Sequence, residues 1–106
     1  MLTDKPGKPG VPQISSVSST TMTLNWTRPD QDGGCPVDGY VVEYRVEGAF
    51  KWLAATPEPV PSTSFTVKGL MEDMVYEFRV AAHNKAGVGA FSNNSSAVKA
   101  EEPLGK

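Results

Sequence analysis

The sequence predicts an all-β domain, a sandwich or a barrel, on three observations. Short apolar–polar alternations recur at regular intervals, clusters of Gly, Pro, Asp and Ser separate them, and no segment sustains an apolar period of 3.6 residues. The clearest alternation lies within Gly69 to Gly89, GLMEDMVYEFRVAAHNKAGVG, where Tyr76, Phe78, Val80 and Ala82 alternate with Glu77, Arg79, Ala81 and His83. A period of two puts the first set on a buried face and the second outward. Asn84 with Gly87 and Gly89 reads as the turn that closes this strand.

In chain order, Lys5 to Gly10 (KPGKPG) reads as an extended, poorly ordered lead. Val11 to Val17 is a broken edge strand, with Ile14 and Val17 toward the core and Pro12 suited to an edge because it lacks an N–H. Thr20 to Thr27 is the second strand, with Met22, Leu24 and Trp26 inward. After the loop RPDQDGGCPVDG, the third strand runs from Gly39 or Tyr40 to Val46, with Tyr40, Val42, Tyr44 and Val46 inward and Val41, Glu43 and Arg45 outward. A short fourth strand spans Phe50 to Ala55, and Pro57-Glu58-Pro59-Val60-Pro61 interrupts pairing. Thr63 to Lys68 is the fifth, with Phe65 and Val67 inward above Leu70. Val75 to His83 is the sixth, and Ala90 to Ala100 the seventh and weakest, with Phe91 and Val98 its clearest apolar positions.

At 106 residues the chain suffices for one domain. Its net charge of −2, with acids and bases scattered, lacks the basic footprint of a nucleic-acid or anionic-membrane binder. No apolar run is long enough to span a bilayer, and the Met1 end lacks the apolar core of a signal peptide. The single cysteine, Cys35, permits no internal disulfide, and its loop offers no flanking base to activate the thiol.

Reactive chemistry finds little support. Asp30-Gln31-Asp32-Gly33 opens like a calcium loop, but the position that would need a bidentate glutamate is Val41, so a type I turn with aspartates bonded to backbone is expected instead. His83 is the only histidine, with no second ligand at metal spacing and no converging nucleophile. No metal, cofactor or catalytic residue is expected. Asn25, Asn93 and Asn94 each begin an Asn-x-Ser/Thr sequon, which matters only if the chain is secreted.

Trp26 on the second strand, Gly39-Tyr40 opening the third, Gly69-Leu70 ahead of Tyr76, and Asn84…Gly87-x-Gly89-x-x-Ser92 together resemble the fibronectin type III domain. The resemblance covers residues 8–100, leaving 1–7 and 101–106 as linkers. It implies a seven-strand Greek-key sandwich of immunoglobulin-like form, with structural roles for Trp26, Tyr40, Leu70 and Tyr76. Tyr76 would form a tyrosine corner, its hydroxyl bonding to backbone near Leu70. The pattern is most similar to modules of giant muscle proteins such as titin, twitchin, projectin and myosin-binding protein C; Cys35 stands where a serine is common and Phe91 where a proline is common. The Arg-Gly-Asp tripeptide of the family's adhesion modules is absent.

The resemblance implies a non-catalytic structural and protein-binding module of a tandem sarcomeric array, cytoplasmic and monomeric in isolation. Its partners would be neighbouring immunoglobulin and fibronectin modules and myosin or other thick-filament proteins. The alternative is an extracellular module of an adhesion molecule or receptor. Glu43, Arg45, Glu77 and Arg79 on the outer face, with Trp52 and Lys51 nearby and Lys85 in the following turn, form either cross-strand charge pairs or a protein-docking face.

Overall fold

The computed structural model describes residues 3–103, so Met1, Leu2 and the Leu104–Lys106 part of the expected trailing linker lie outside the described residues. Among the described residues eight strands form: β1 (Gln13–Val17), β2 (Met22–Asn25), β3 (Gly39–Val46), β4 (Leu53–Ala54), β5 (Ser64–Val67), β6 (Val75–Asn84), β7 (Gly87–Phe91) and β8 (Val98–Lys99). One sheet has the order β1-β2-β5; the other has β4-β3-β6-β7, with β8 also on β6. Every pairing is antiparallel.

The inward sets meet as a single core. Met22, Leu24 and Trp26 from one sheet pack with Tyr40, Val42, Tyr76, Phe78, Val80 and Ala82 from the other, joined by Val67 and Leu70. The Trp26 ring meets Tyr40 edge to face at 5.5 Å, an arrangement that suits the ring quadrupoles. The Trp26 indole Nε1 is buried with no partner among the described residues. Ile14 and Val17 pack on this core from the edge strand, which bulges between Ile14 and Ser16.

Strand boundaries differ from the expected ones where side chains or loops take over backbone pairing. The expected seventh strand is two strands, β7 and β8. Between them Ser92 and Ser95 keep the contact with β6: the amides of Ser92 and Ser95 donate to the carbonyls of Val80 and Phe78, while their hydroxyls accept from the Val80 and Phe78 amides at 3.1 and 3.0 Å. Two hydroxyls thus stand in for two carbonyls. The fourth strand shrinks to Leu53–Ala54, and Phe50 is 99% exposed in the preceding turn. The proline stretch after it is not free of pairing, because Val60 and Tyr40 exchange both backbone hydrogen bonds.

Three loop expectations also change. Gly87 and Gly89 belong to β7, so the β6–β7 connection is Lys85-Ala86 alone, and Asn84 is fully buried at the end of β6. The aspartate loop turns at Gly33 and Gly34, both at positive φ, which a type I turn does not use; Asp32 Oδ1 does accept from the Gly34 amide. The lead is bonded along residues 27–33: Asp4, Gly7 and Gly10 donate to Gly33, Gln31 and Thr27. Thus Asp4 sits at the Asn84 end of β6, while Ala100 exchanges bonds with Asp73 and Met74 just before β6 begins. The two ends of the module lie at opposite poles.

Candidate protein-docking face

β3 and β6 pair over eight residues, with Glu43 opposite Arg79 and Arg45 opposite Glu77. Directly opposed residues share a face, so the alternation that buries Tyr40, Val42, Phe78 and Val80 delivers these four charges to the outer surface. The Arg45 Nε donates to Glu77 Oε1 at 2.8 Å; Arg79 donates to Glu43 Oε1 through Nε at 3.0 Å and Nη2 at 2.6 Å. All four side chains are less than 30% exposed, and the pairs leave no net charge on this part of the face.

Aromatic rings complete the arrangement. The Trp52 ring, beside β4, lies 4.5 Å from the Arg45 guanidinium carbon and 4.3 Å from that of Arg79. The Phe91 ring from β7 lies 4.2 Å from the Arg79 guanidinium carbon. Arg79 on β6 therefore links Glu43 on β3, Phe91 on β7 and Trp52 just ahead of β4. Phe91 is the residue the sequence reading left out of the site. Its register against Ala81, which lies on the Arg79 side of β6 although it is fully buried rather than exposed as the alternation predicts, identifies its face, but only once the pairing is known.

The remaining candidates are placed elsewhere. Lys85 is exposed in the β6–β7 turn, beyond the charge ladder. Trp26, Tyr40, Leu70 and Tyr76 are all buried in the core, and the Tyr76 hydroxyl accepts from the Met71 amide at 2.8 Å. Burial pushes the Tyr40 phenol's pKa upward, partly offset by the nearby Arg28 charge. Cys35 is half-buried and unpaired, and His83 Nδ1 is bonded to Asp38. Asn25 bonds to Ser15, while Asn93 and Asn94 are exposed between β7 and β8. Among the described residues, no three His, Cys, Asp or Glu side chains are grouped to hold a metal ion.

Two antiparallel sheets with this connectivity, a tyrosine corner and an outer face of paired charges and aromatics define an immunoglobulin-like β-sandwich module. The family model described as fibronectin type III domain matches residues 7–98, and the chain belongs to that family. It is 47% identical to fast-type myosin-binding protein C of Mus musculus over 68 residues, covering 64% of this chain and 6% of that protein. It is 40% identical to myomesin-2 of Homo sapiens over 81 residues, covering 76% of this chain and 6% of that protein. The chain thus spans about 6% of the length of these curated relatives. A crystal structure of titin domains superposes with a TM-score of 0.89 at 34% identity, over 94% of this chain and 34% of that one. The twitchin kinase region of C. elegans gives 0.88 at 28% identity, over 97% of this chain and 18% of that one.

Proposed function

We propose that this chain is a non-catalytic module of a tandem immunoglobulin/fibronectin array in a sarcomeric muscle protein, contributing spacing, mechanical support and docking to the thick filament. The observation that carries the reading is the outer face of β4-β3-β6-β7. It is preorganised, neutral and rich in arginine and aromatic side chains, the types that dominate protein–protein hot spots. The relatedness to myosin-binding protein C and myomesin supports the muscle setting, in the cytoplasm. Opposite poles for Asp4 and Ala100 support the mechanical part, because tension between them runs along the strands and loads the interstrand hydrogen bonds in shear.

Trp52, Arg45 and the strand-edge residues around them are the docking surface in this reading. Arg79 is already engaged with Glu43 and two rings, so it braces the face rather than reaching for a partner. Lys85 lies exposed in the β6–β7 turn, outside this surface. Co-sedimentation of the purified chain with myosin filaments tests the proposal: the module pellets with filaments and stays in solution without them. A module that remains in the supernatant at filament concentrations of tens of micromolar contradicts thick-filament docking.

A second reading, an extracellular adhesion or receptor module, draws on the exposure of Asn93 and Asn94, which leaves both sequons open to glycan addition. Mass spectrometry of native material decides it, since a glycan on either residue excludes the cytoplasmic setting.

A further inference from the structure

The segment ahead of β1 is built on a period of three. Pro6, Pro9 and Pro12 are all buried, while Lys5, Lys8 and Val11, each just ahead of a proline, are exposed. A polyproline II helix has three residues per turn, so this spacing puts the prolines on one face. The amide protons follow the same period: Asp4, Gly7 and Gly10 donate to the carbonyls of Gly33, Gln31 and Thr27 at 2.8, 2.9 and 3.0 Å. Such a helix has no internal hydrogen bonds, so the Thr27–Gly33 loop supplies acceptors that the strap cannot provide for itself.

The opposite wall is shaped to the strap's carbonyls. The buried Asn84 side chain donates from Nδ2 to the carbonyls of Asp4 and Asp32, each at 2.8 Å, and its Oδ1 accepts from the Ala86 amide. At Gly33 and Gly89 the strap passes so close that a Cβ would lie 2.0 Å from the carbonyl oxygens of Asp4 and Pro6 respectively. Lys8 Nζ reaches Asn93 Oδ1 at 3.0 Å from the outer side.

We propose that the Thr27–Gly33 loop, Asn84 and Gly89 form a receptor groove for a Lys-Pro-Gly polyproline II segment. In the resting molecule the groove is filled by the chain's own residues 4–10. When that strap is displaced, it accepts the same kind of segment from another chain. Proline every third residue fills the buried face, an N–H every third residue meets the loop carbonyls, and the absence of side chains at Gly33 and Gly89 leaves room for the incoming backbone. A segment already in this conformation loses little entropy on binding, which is the advantage proline-rich ligands bring to any groove.

Two NMR measurements on the full chain test the proposal. In the wild-type protein the Gly7 and Gly10 amides exchange with solvent at least tenfold more slowly than in the free peptide DKPGKPGVP; exchange at the peptide rate overturns the proposal. In a Pro6→Glu, Pro9→Glu variant the strap is released. The same peptide, added in trans, then shifts the Asn84 side-chain amide and Gly89 resonances, and adding Gly89→Val removes the response. A peptide with the same composition but its prolines off the three-residue period leaves the resonances unmoved. An unresponsive released variant that retains its fold, or an equal response to the scrambled peptide, overturns the proposal. Should that variant not fold, the milder Pro6→Ala, Pro9→Ala variant takes the same titration, and a folded protein that gives no response to the peptide overturns the proposal equally.

Discussion

The Tyr76 hydroxyl accepts the Met71 amide proton at 2.8 Å, closing the corner between β5 and β6 across five residues of chain. Tyr76 is buried and its ring packs against Tyr44 at 6.0 Å, so the hydroxyl is presented to that amide by the core itself. Tyr76→Phe keeps the ring and removes the acceptor. It should destabilise the module by about 1–2 kcal/mol in denaturant unfolding. A variant whose unfolding midpoint matches the wild type contradicts a stabilising role for the corner.

Arg79 offers a second test, because its planar guanidinium meets rings of Trp52 and Phe91 and also bonds to Glu43. Lysine keeps the charge but not the plane or the fork of donors. Arg79→Lys should therefore fail to restore the stability lost in Arg79→Ala. A double-mutant cycle of Arg79→Ala with Trp52→Ala should give a coupling of about 0.5–1 kcal/mol. Additive losses would show that the two side chains are merely adjacent.

Ser92 and Ser95 are each only 5% exposed, and each hydroxyl serves a β6 amide. Alanine at either position leaves the Val80 or Phe78 amide without its acceptor inside the sandwich. Each substitution should cost about 1–3 kcal/mol. It should also accelerate hydrogen exchange at the amide concerned, Val80 for Ser92→Ala and Phe78 for Ser95→Ala. Unaltered exchange would mean the hydroxyls are dispensable.

The Tyr40 phenol's pKa is raised in the folded state, chiefly by burial. The unfolded chain therefore ionises first as pH rises. The contribution is fully present below the ordinary tyrosine value of about 10 and is lost as pH climbs through the higher folded value. Unfolding midpoints measured on the alkaline side should fall more steeply for the wild type than for Tyr40→Phe. Parallel curves would contradict the burial effect.

Much of the fold is legible in the sequence because one physical signal, the period of two, governs it. Tyr76, Phe78, Val80 and Ala82 on β6, and Tyr40, Val42, Tyr44 and Val46 on β3, face inward as their alternation requires. The outward charges follow automatically, but their pairing depends on register, which no local pattern encodes: Glu43 meets Arg79 across 36 residues of chain. Phe91 escapes for a related reason. The β6–β7 ladder shifts register between Ala81 and His83, and that breaks any count of faces along the last strand.

The strap and the split seventh strand were hidden by composition. Pro-Gly repeats read as poorly ordered, and Ala90 to Ala100 reads as one strand although the serines between Phe91 and Val98 interrupt it. In each case the backbone is satisfied by distant partners: Asn84 bonds to Asp4 across 80 residues, and Ser95 to Phe78 across 17. Asn84 reads as a turn residue because the glycine-rich stretch from Asn84 to Gly89 reads as one turn, whereas Asn84 still belongs to β6, Gly87 and Gly89 belong to β7, and the turn is Lys85-Ala86 alone.

The central claim is a division of labour between the two halves of the sheet, with inward side chains folding the module and the Arg45–Trp52 surface docking it. The most direct test compares Trp52→Ala with the wild type in myosin-filament co-sedimentation, alongside thermal unfolding of the same samples. The account predicts at least a tenfold loss of affinity, about 1.4 kcal/mol, in a variant that still unfolds cooperatively. Filament binding equal to that of the wild type, in a folded Trp52→Ala variant, would contradict it.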